Sequence, residues 1–275
     1  MVTNTSSKSE PQEAVGAGKG SPSLIRLDGI SKRYEGVQAL SDISFSIDEN
    51  EILALVGDNG AGKSTLVKIL AGVISQTAGD LYVRTDGSMR IRSMDDPKDA
   101  RSVGIETVFQ DLGLSMKHDV ATNIYMGREP RKAGVRGRVF RNIDREQMNE
   151  GALEALNELG FQIDPYAPVS ELSGGQQQAV AVARALISDP RIVLLDEPTA
   201  EVSVEGRKKI LDLITELKDR GRTVLFITHN LEEVFEVADR IAVLRNGELV
   251  SIEDNDATID RERLVGLMTG AINPE

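Results

Sequence analysis

A chain of 275 residues, 40% hydrophobic and 28% charged, is long enough for one large globular domain or a domain with a small lobe. It has no cysteine, which excludes disulfides and thiolate metal sites and fits a reducing cytoplasm, and no apolar run of about 18 residues, which excludes a membrane-spanning helix. The formal net charge of −12 argues against a nucleic-acid partner, for which a basic footprint is expected, although a salt-rich cytosol would favour the same balance.

Residues 1–23 are rich in Ser, Gly, Lys and Glu and lack an apolar segment, so they read as a disordered tail and not as a secretory signal. Leu24-Ile25-Arg26-Leu27-Asp28 and Ile43-Ser44-Phe45-Ser46-Ile47 alternate as strands do. Residues 51–56 are mostly apolar, as a strand buried on both faces should be. A glycine-rich loop follows, then a helical pattern over 64–71. Further core strands are expected at 105–109, 192–196 and 223–227, and helices over 144–159, 174–187 and 204–220. A turn at Asn246-Gly247 joins two strand-like pieces, a helix over 259–268 follows, and 271–275 read as a tail. This alternation predicts an α/β fold with a parallel sheet. From about 111 to 170 there are helices and no convincing strand, so a helical lobe inserted in the core is expected. Arg128, Arg131, Lys132, Arg136, Arg138 and Arg141 form a basic cluster beside Pro130, Gly134 and Gly137. It reads as a solvated loop, or as a face near anionic lipid headgroups, where each cation contributes about 1 kcal/mol.

Gly57-x4-Gly62-Lys63-Ser64 fits the phosphate-loop pattern between an expected strand and an expected helix. Its glycines, with Asn59 and Gly60 inside the loop, let backbone N–H groups turn inward around phosphates, and the helix N-terminus adds its positive end. Lys63 would reach the β- and γ-phosphates, Ser64 would bind Mg²⁺, and Thr65 would support the α-phosphate side. Ile192-Val193-Leu194-Leu195-Asp196-Glu197 is an apolar strand ending in two carboxylates. A charge at the end of a buried strand needs a partner. Mg²⁺ suits Asp196, which leaves Glu197 to orient and deprotonate an attacking water.

Leu172-Ser173-Gly174-Gly175-Gln176 lies between these motifs, and Asp196-Glu197-Pro198-Thr199 follows it. With the phosphate loop, in this order, the chain resembles the nucleotide-binding subunit of ATP-binding cassette (ABC) transporters over roughly 24–270. The resemblance implies a phosphate-loop ATPase core: a mostly parallel sheet with flanking helices, antiparallel strands on the N-terminal side, and an inserted helical subdomain at about 111–185. It implies ATP and Mg²⁺ as cofactors, with Ser64, Gln110 and Asp196 at the metal. Tyr34 matches the aromatic that stacks on adenine, and Gln110 the glutamine that contacts Mg²⁺ and water and links to the membrane partner. His229, after Ile227-Thr228, matches the histidine that touches the γ-phosphate; the other histidine, His118, has no such context. Glu197, His229 and Gln110 thus form the expected catalytic set. Ser173 and Gly175 match residues that cap the γ-phosphate held by the opposite subunit. A hydroxyl and a helix N-terminus opened by Gly174-Gly175 suit that anion.

Three further segments narrow the resemblance. Gly104-Ile105-Glu106-Thr107-Val108-Phe109-Gln110-Asp111-Leu112, Asn123-Ile124-Tyr125-Met126-Gly127-Arg128-Glu129 and Val234-Phe235-Glu236-Val237-Ala238-Asp239-Arg240 look like the ATPase subunits of monosaccharide importers of the ribose, xylose, fructose and glucose type. One cassette is present, so the resemblance implies a homodimer, peripheral on the cytoplasmic face of the membrane. Its partners would be integral-membrane permease subunits and, indirectly, an extracellular sugar-binding protein. The chain ends before the extra C-terminal regulatory domain of the maltose-type importers. Thr199-Ala200-Glu201-Val202-Ser203 departs from the family at the dimer-contact loop, where Glu201 either weakens closure by repulsion near phosphates or faces solvent. Gln177 replaces a frequent Arg, and Asp48-Glu49-Asn50-Glu51 replaces the usual Pro-Gly-Glu turn. The alternatives are an ABC ATPase for a nucleoside or amino acid, and a soluble, non-transport cassette acting on ribosomes or DNA. The acidic charge and the absence of a coiled-coil insertion weigh against the latter. Retention of Glu197, Gln110 and His229 weighs against a regulator that binds nucleotide without hydrolysis.

Overall fold

The computed structural model describes residues 22–132, 142–200 and 202–273. The N-terminal tail up to residue 21, Arg136, Arg138, Arg141, Glu201 and the last two residues lie outside the described residues.

The chain begins with a long hairpin. β1 (Ser23–Tyr34) and β2 (Val37–Asp48) pair antiparallel, and Glu35 and Gly36 turn between them with φ of 30° and 104°. Positive φ at both central residues gives the turn twist that matches paired strands. β4 (Ala78–Thr85) and β5 (Ser88–Ile91) extend this sheet in the order β2-β1-β4-β5. The second sheet has the order β10-β9-β3-β8-β7-β6. Its strands are β3 (Ile52–Val56), β6 (Ile105–Val108), β7 (Ile192–Asp196), β8 (Thr223–Ile227), β9 (Arg240–Arg245) and β10 (Glu248–Asp254). All neighbours are parallel except β10, which returns antiparallel along β9 through Asn246-Gly247, both at positive φ.

β3, β7 and β8 are buried at every residue, which is why they read as continuous apolar runs. Their side chains alternate between two cores. Leu53, Leu55, Leu194, Leu225 and Ile227 face Ile25, Leu27 and Phe45 of the antiparallel sheet, with Leu66, Ile69 and Leu70 of α1 (Lys63–Leu70) between the sheets. Ile52, Ala54, Val56, Val193, Leu195, Val224 and Phe226 face the helical side. That side is covered by α5 (Gly174–Leu186), α6 (Val204–Asp219), α7 (Leu231–Val237) and α8 (Arg261–Thr269). Phe226 is fully buried there, and its loss to alanine would cost about 3–5 kcal/mol, a large part of a domain's net stability.

α2 (Pro97–Ser102) starts from an Asp96 capping box with Pro97 in its first turn. Between β6 and α5 come α3 (Val120–Ile124) and α4 (Arg145–Glu158). Asp119 caps α3 by accepting from the Thr122 N–H, and it pairs with Arg145 at the start of α4 at 2.8 Å. Val120, Ile124, Met148, Ala152 and Leu156 belong to the same apolar cluster as the helical face of the parallel sheet. α3, α4 and the sheet are therefore packed through shared neighbours.

Arg128 departs from the solvated-cluster expectation. It reaches back to the buried Glu106 of β6 at 2.5 Å, and Ser188 donates to the same carboxylate oxygen at 2.9 Å. A carboxylate at that depth requires a cation or donors, and this outweighs hydration of the arginine. Arg131 and Lys132 remain exposed.

Candidate nucleotide site

The loop after β3 is shaped by contacts that admit only glycine at two positions. Gly57 has φ of 152°, and a Cβ there would run into the Leu244 carbonyl of β9. Gly62 has φ of 107°, and a Cβ would lie 2.6 Å from Leu40 Cδ2 and 2.8 Å from the Ala39 carbonyl oxygen. Gly62 is also the N-cap of α1 and brings no side chain to it. The first-turn N–H groups of α1 thus have no side-chain cap, which is how a helix end accepts an anion. Asn59 and Gly60 are exposed at the loop's tip, and Thr65 is half-buried on α1.

Lys63 folds inward, 6% exposed, and donates to the carbonyls of Gly57 at 2.6 Å and Asp58 at 3.1 Å. Burial pulls its pKa down, against the upward pull of the Glu197, Asp196 and Asp58 carboxylates. Both effects follow from one geometry: a buried cation that would be relieved by an anion. Asp196, at the end of β7, shows the converse. Burial and then neighbouring Glu197 push its pKa up, while Lys63, Lys68 and a hydrogen bond from Ser64 pull it down.

Glu197 leaves the strand at φ of 50°, a conformation that costs a non-glycine residue about 1–3 kcal/mol. Its N–H donates to the Ile227 carbonyl of β8 at 2.9 Å, and this aims the side chain across the strand ends. Its Oε1 lies 3.5 Å from His229 Nδ1. The parallel register that opposes Asp196 to Ile227 explains the meeting of two residues so far apart in sequence. Lys63, Ser64, Asp196, Glu197 and His229 are thereby brought together at the carboxyl edge of the parallel strands, where such sheets bind ligands. Gln110 is exposed just beyond β6, on that same edge. Tyr34 stands at the tip of the β1–β2 hairpin, whose Ala39 and Leu40 pack on Gly62. It is 42% exposed, and the Lys32 ammonium lies 5.1 Å from its ring centre.

Ser173 and Gly175 occupy a different place. They line an open cleft of about 630 Å³ with Phe161, Val202, Ser203 and Lys209. None of its lining residues comes from the loop 57–65. Ser173 is the N-cap of α5 and forms a capping box with Gln176. The starts of α5 and α6 lie side by side here, and a Cβ on Gly175 would sit in ordinary contact, 3.7 Å from the Gly206 Cα.

Two features around the site are not expected from the sequence. Arg184 of α5 donates to the carbonyls of Leu112 at 2.5 Å and Gly113 at 3.0 Å, so it fixes the segment that follows Gln110. Glu233 of α7 is 2% exposed and is bonded to Thr199 and Thr228, which lie near Glu197 and His229 in sequence. The only local signal for Glu233 is its place three residues after the Asn230 N-cap, which reads as an ordinary capping-box carboxylate.

A parallel sheet whose first strand opens into an uncapped glycine loop, with a strand ending in two carboxylates across the intervening β8, defines a phosphate-loop nucleotide-binding protein. A family model described as ABC transporter matches residues 40–200. The chain is 42% identical over 255 residues to the fructose import ATP-binding protein FrcA of Rhizobium meliloti, covering 91% of this chain and 95% of that protein. It is 41% identical over 251 residues to the arabinose import ATP-binding protein AraG of Chromohalobacter salexigens, covering 91% of this chain and 48% of that protein. With the ribose import ATP-binding protein RbsA 1 of Rubrobacter xylanophilus the identity is 40% over 248 residues, covering 90% and 47%. The chain thus spans about half the length of the arabinose and ribose relatives. Among solved structures, a dimeric ATP-binding cassette in a post-hydrolysis state, bound to ADP and Pi, is similar with a TM-score of 0.71 and 28% identity, over 85% of this chain and all of that one. A nucleotide-free cassette from an ABC transporter gives a TM-score of 0.77 at 25% identity, over 92% and 100%. The chain belongs to the ABC transporter family.

Proposed function

We propose that this chain is the ATP-hydrolysing subunit of a monosaccharide importer, working as a homodimer on the cytoplasmic face of the membrane beneath a separate permease. An extracellular sugar-binding protein would deliver the solute. The observation that carries the hydrolytic reading is the convergence of Lys63, Asp196, Glu197 and His229 at one edge of the sheet. The importer and sugar assignments are supported by relatives named for fructose, arabinose and ribose import.

In this reading the open N-terminus of α1 and Lys63 hold the ATP phosphates, and Tyr34 offers its ring to the adenine. Ser64, Asp196 and Gln110 would hold Mg²⁺. All three present oxygen, as a hard cation requires, and the buried Asp196 carboxylate needs a positive partner. The metal would neutralise phosphate charge when bound. Glu197 accepts a proton from water as the water oxygen bonds to the γ-phosphorus and the bond to the β–γ bridging oxygen breaks, releasing ADP. His229, 65% exposed at its side chain, is free to reach the γ-phosphate. Ser173 and Gly175 complete the site held by the opposite chain. The lobe at about 111–185 carries that half.

Glu197→Gln should cut turnover by about 10²–10⁴-fold and leave ATP bound, so that a stable dimer accumulates on size exclusion. Hydrolysis at the parent rate would remove Glu197 from its role. Purification from membranes, followed by labelled-sugar uptake with the copurifying permease, tests the importer assignment. Ribosomal partners in place of a permease would sink it.

A further inference from the structure

Glu233 has no part in the chemistry above, yet it is the most deeply buried carboxylate beside the site among the described residues. An ionised carboxylate at that depth needs partners on both oxygens. Its partners come from three separate segments. Oε2 accepts from the Thr199 hydroxyl at 2.8 Å and from the Thr228 hydroxyl at 2.9 Å. Oε1 accepts from Asn230 Nδ2 at 3.1 Å and forms an ion pair with Arg207 Nε at 3.2 Å. A carboxylate that merely capped α7 would explain Asn230. It would not explain Thr199, 34 residues away, or Arg207 on another helix.

The identity of those partners gives the arrangement its meaning. Thr199 lies two residues after Glu197, and Thr228 immediately precedes His229. Arg207 closes the first turn of α6 by donating its N–H to the Ser203 carbonyl at 2.8 Å, and Ser203 lines the Ser173 cleft. The contact between Glu197 and His229 is itself 3.5 Å, too long to hold the pair in register. The β7–β8 register and the Glu197 N–H bond to the Ile227 carbonyl bring the two backbones together, and Glu233 bonds residues flanking both from behind.

We propose that Glu233 is a positioning residue for hydrolysis: one buried carboxylate ties the Glu197 loop to the His229 loop and, through Arg207, ties both to the helix that faces the second chain. Movement of α6 as the second chain docks then changes the geometry of the pair that hydrolyses ATP. The inference rests on the roles proposed above for Glu197, His229 and the Ser173 cleft.

Steady-state hydrolysis by Glu233→Gln tests it. The substitution keeps the shape but removes the negative charge and one acceptor oxygen. The expected result is a fall in kcat of roughly ten- to a hundredfold, as for a small misplacement of reacting groups, with KM for ATP changed by less than about threefold. A merely structural role would lower melting temperature without splitting kcat from KM. Thr199→Val removes one hydrogen bond at nearly constant volume and should lower kcat, and Thr199→Ser, which retains the hydroxyl, should restore most of that loss. Arg207→Gln, on a half-exposed side chain, should lower kcat by cutting only the link to α6. If Glu233→Gln does not fold, the Thr199 and Arg207 variants decide. Folded variants that all keep the parent kcat, while Glu197→Gln and His229→Ala are inactive, overturn the positioning role alone. Parent-like rates in Glu197→Gln and His229→Ala as well would overturn both readings.

Discussion

The N-termini of α1 and α5 are both candidate anion sites, and they are built differently. α1 starts at Gly62, which contributes no cap, and Lys63 turns back over the loop. α5 starts at Ser173, whose cap is complete. Gln176 N–H donates to the Ser173 hydroxyl oxygen at 3.4 Å, Ser173 N–H donates to Gln176 Oε1 at 2.9 Å, and the Ser173 hydroxyl donates to that same oxygen at 3.1 Å. The first end is open before any ligand arrives. At the second, the single hydroxyl proton already has an acceptor. A phosphate from a second chain must replace Gln176, so the gain is the difference between a charge-assisted bond, about 1.5–3 kcal/mol, and a neutral one, about 0.5–1.5 kcal/mol. On the proposed reading one half binds nucleotide alone, and the other engages only when both chains and ATP are present.

Separating the two halves should matter most. Lys63→Ala should abolish ATP binding and turnover. Ser173→Arg, which fills the open cleft, should leave ATP binding to the single chain intact, read by equilibrium dialysis, and abolish turnover. Mixing the two inactive chains should restore hydrolysis, because one of the two composite sites then has an intact Lys63 and an intact Ser173. A mixture as dead as its components, despite forming dimers, would mean that the two ends do not complete one site across chains.

A smaller effect should come from closing the open end. Gly62→Ala places a Cβ against Leu40 and the Ala39 carbonyl at a φ that L-residues avoid. The conformational cost alone is about 1–3 kcal/mol, and the loop must shift to relieve the contacts. Weaker ATP binding together with a lower melting temperature is expected. Normal affinity would mean that the loop's exact path matters less than Lys63.

What the sequence shows and hides follows the range of the interactions. β3, β7 and β8 are legible because burial on both faces leaves a continuous apolar run. The helices expected at 64–71, 174–187 and 204–220 are present within a residue or so at each end. β1 and β2 are legible only in part. Gly29 and Asp42 both take positive φ where the strand register shifts, and the alternation is lost beyond them. β5 is a mostly exposed edge strand, and four residues are too few for its Ser-Met-Arg-Ile alternation to stand out. The phosphate loop is legible because one short segment supplies it. Glu233 is not, because Thr199, Thr228 and Arg207 become its neighbours only once β7, β8, α6 and α7 are packed.

The smallest effect bears most directly on the capped end. Ser173→Ala removes both the cap and the hydroxyl proposed to meet the second chain's nucleotide. Gln176→Ala removes the hydroxyl's present acceptor and leaves the hydroxyl. Each should cost about 1 kcal/mol of stability, the usual value of an N-cap, and so lower the melting temperature by a similar few degrees. They should differ in ATP-driven dimerisation, measured by sedimentation in a Glu197→Gln background. Ser173→Ala should weaken it, whereas Gln176→Ala should leave it unchanged or slightly strengthened, because the hydroxyl no longer has to give up a partner. Equal weakening by both would mean that the capping box itself, and not a free hydroxyl, is what the second chain recognises.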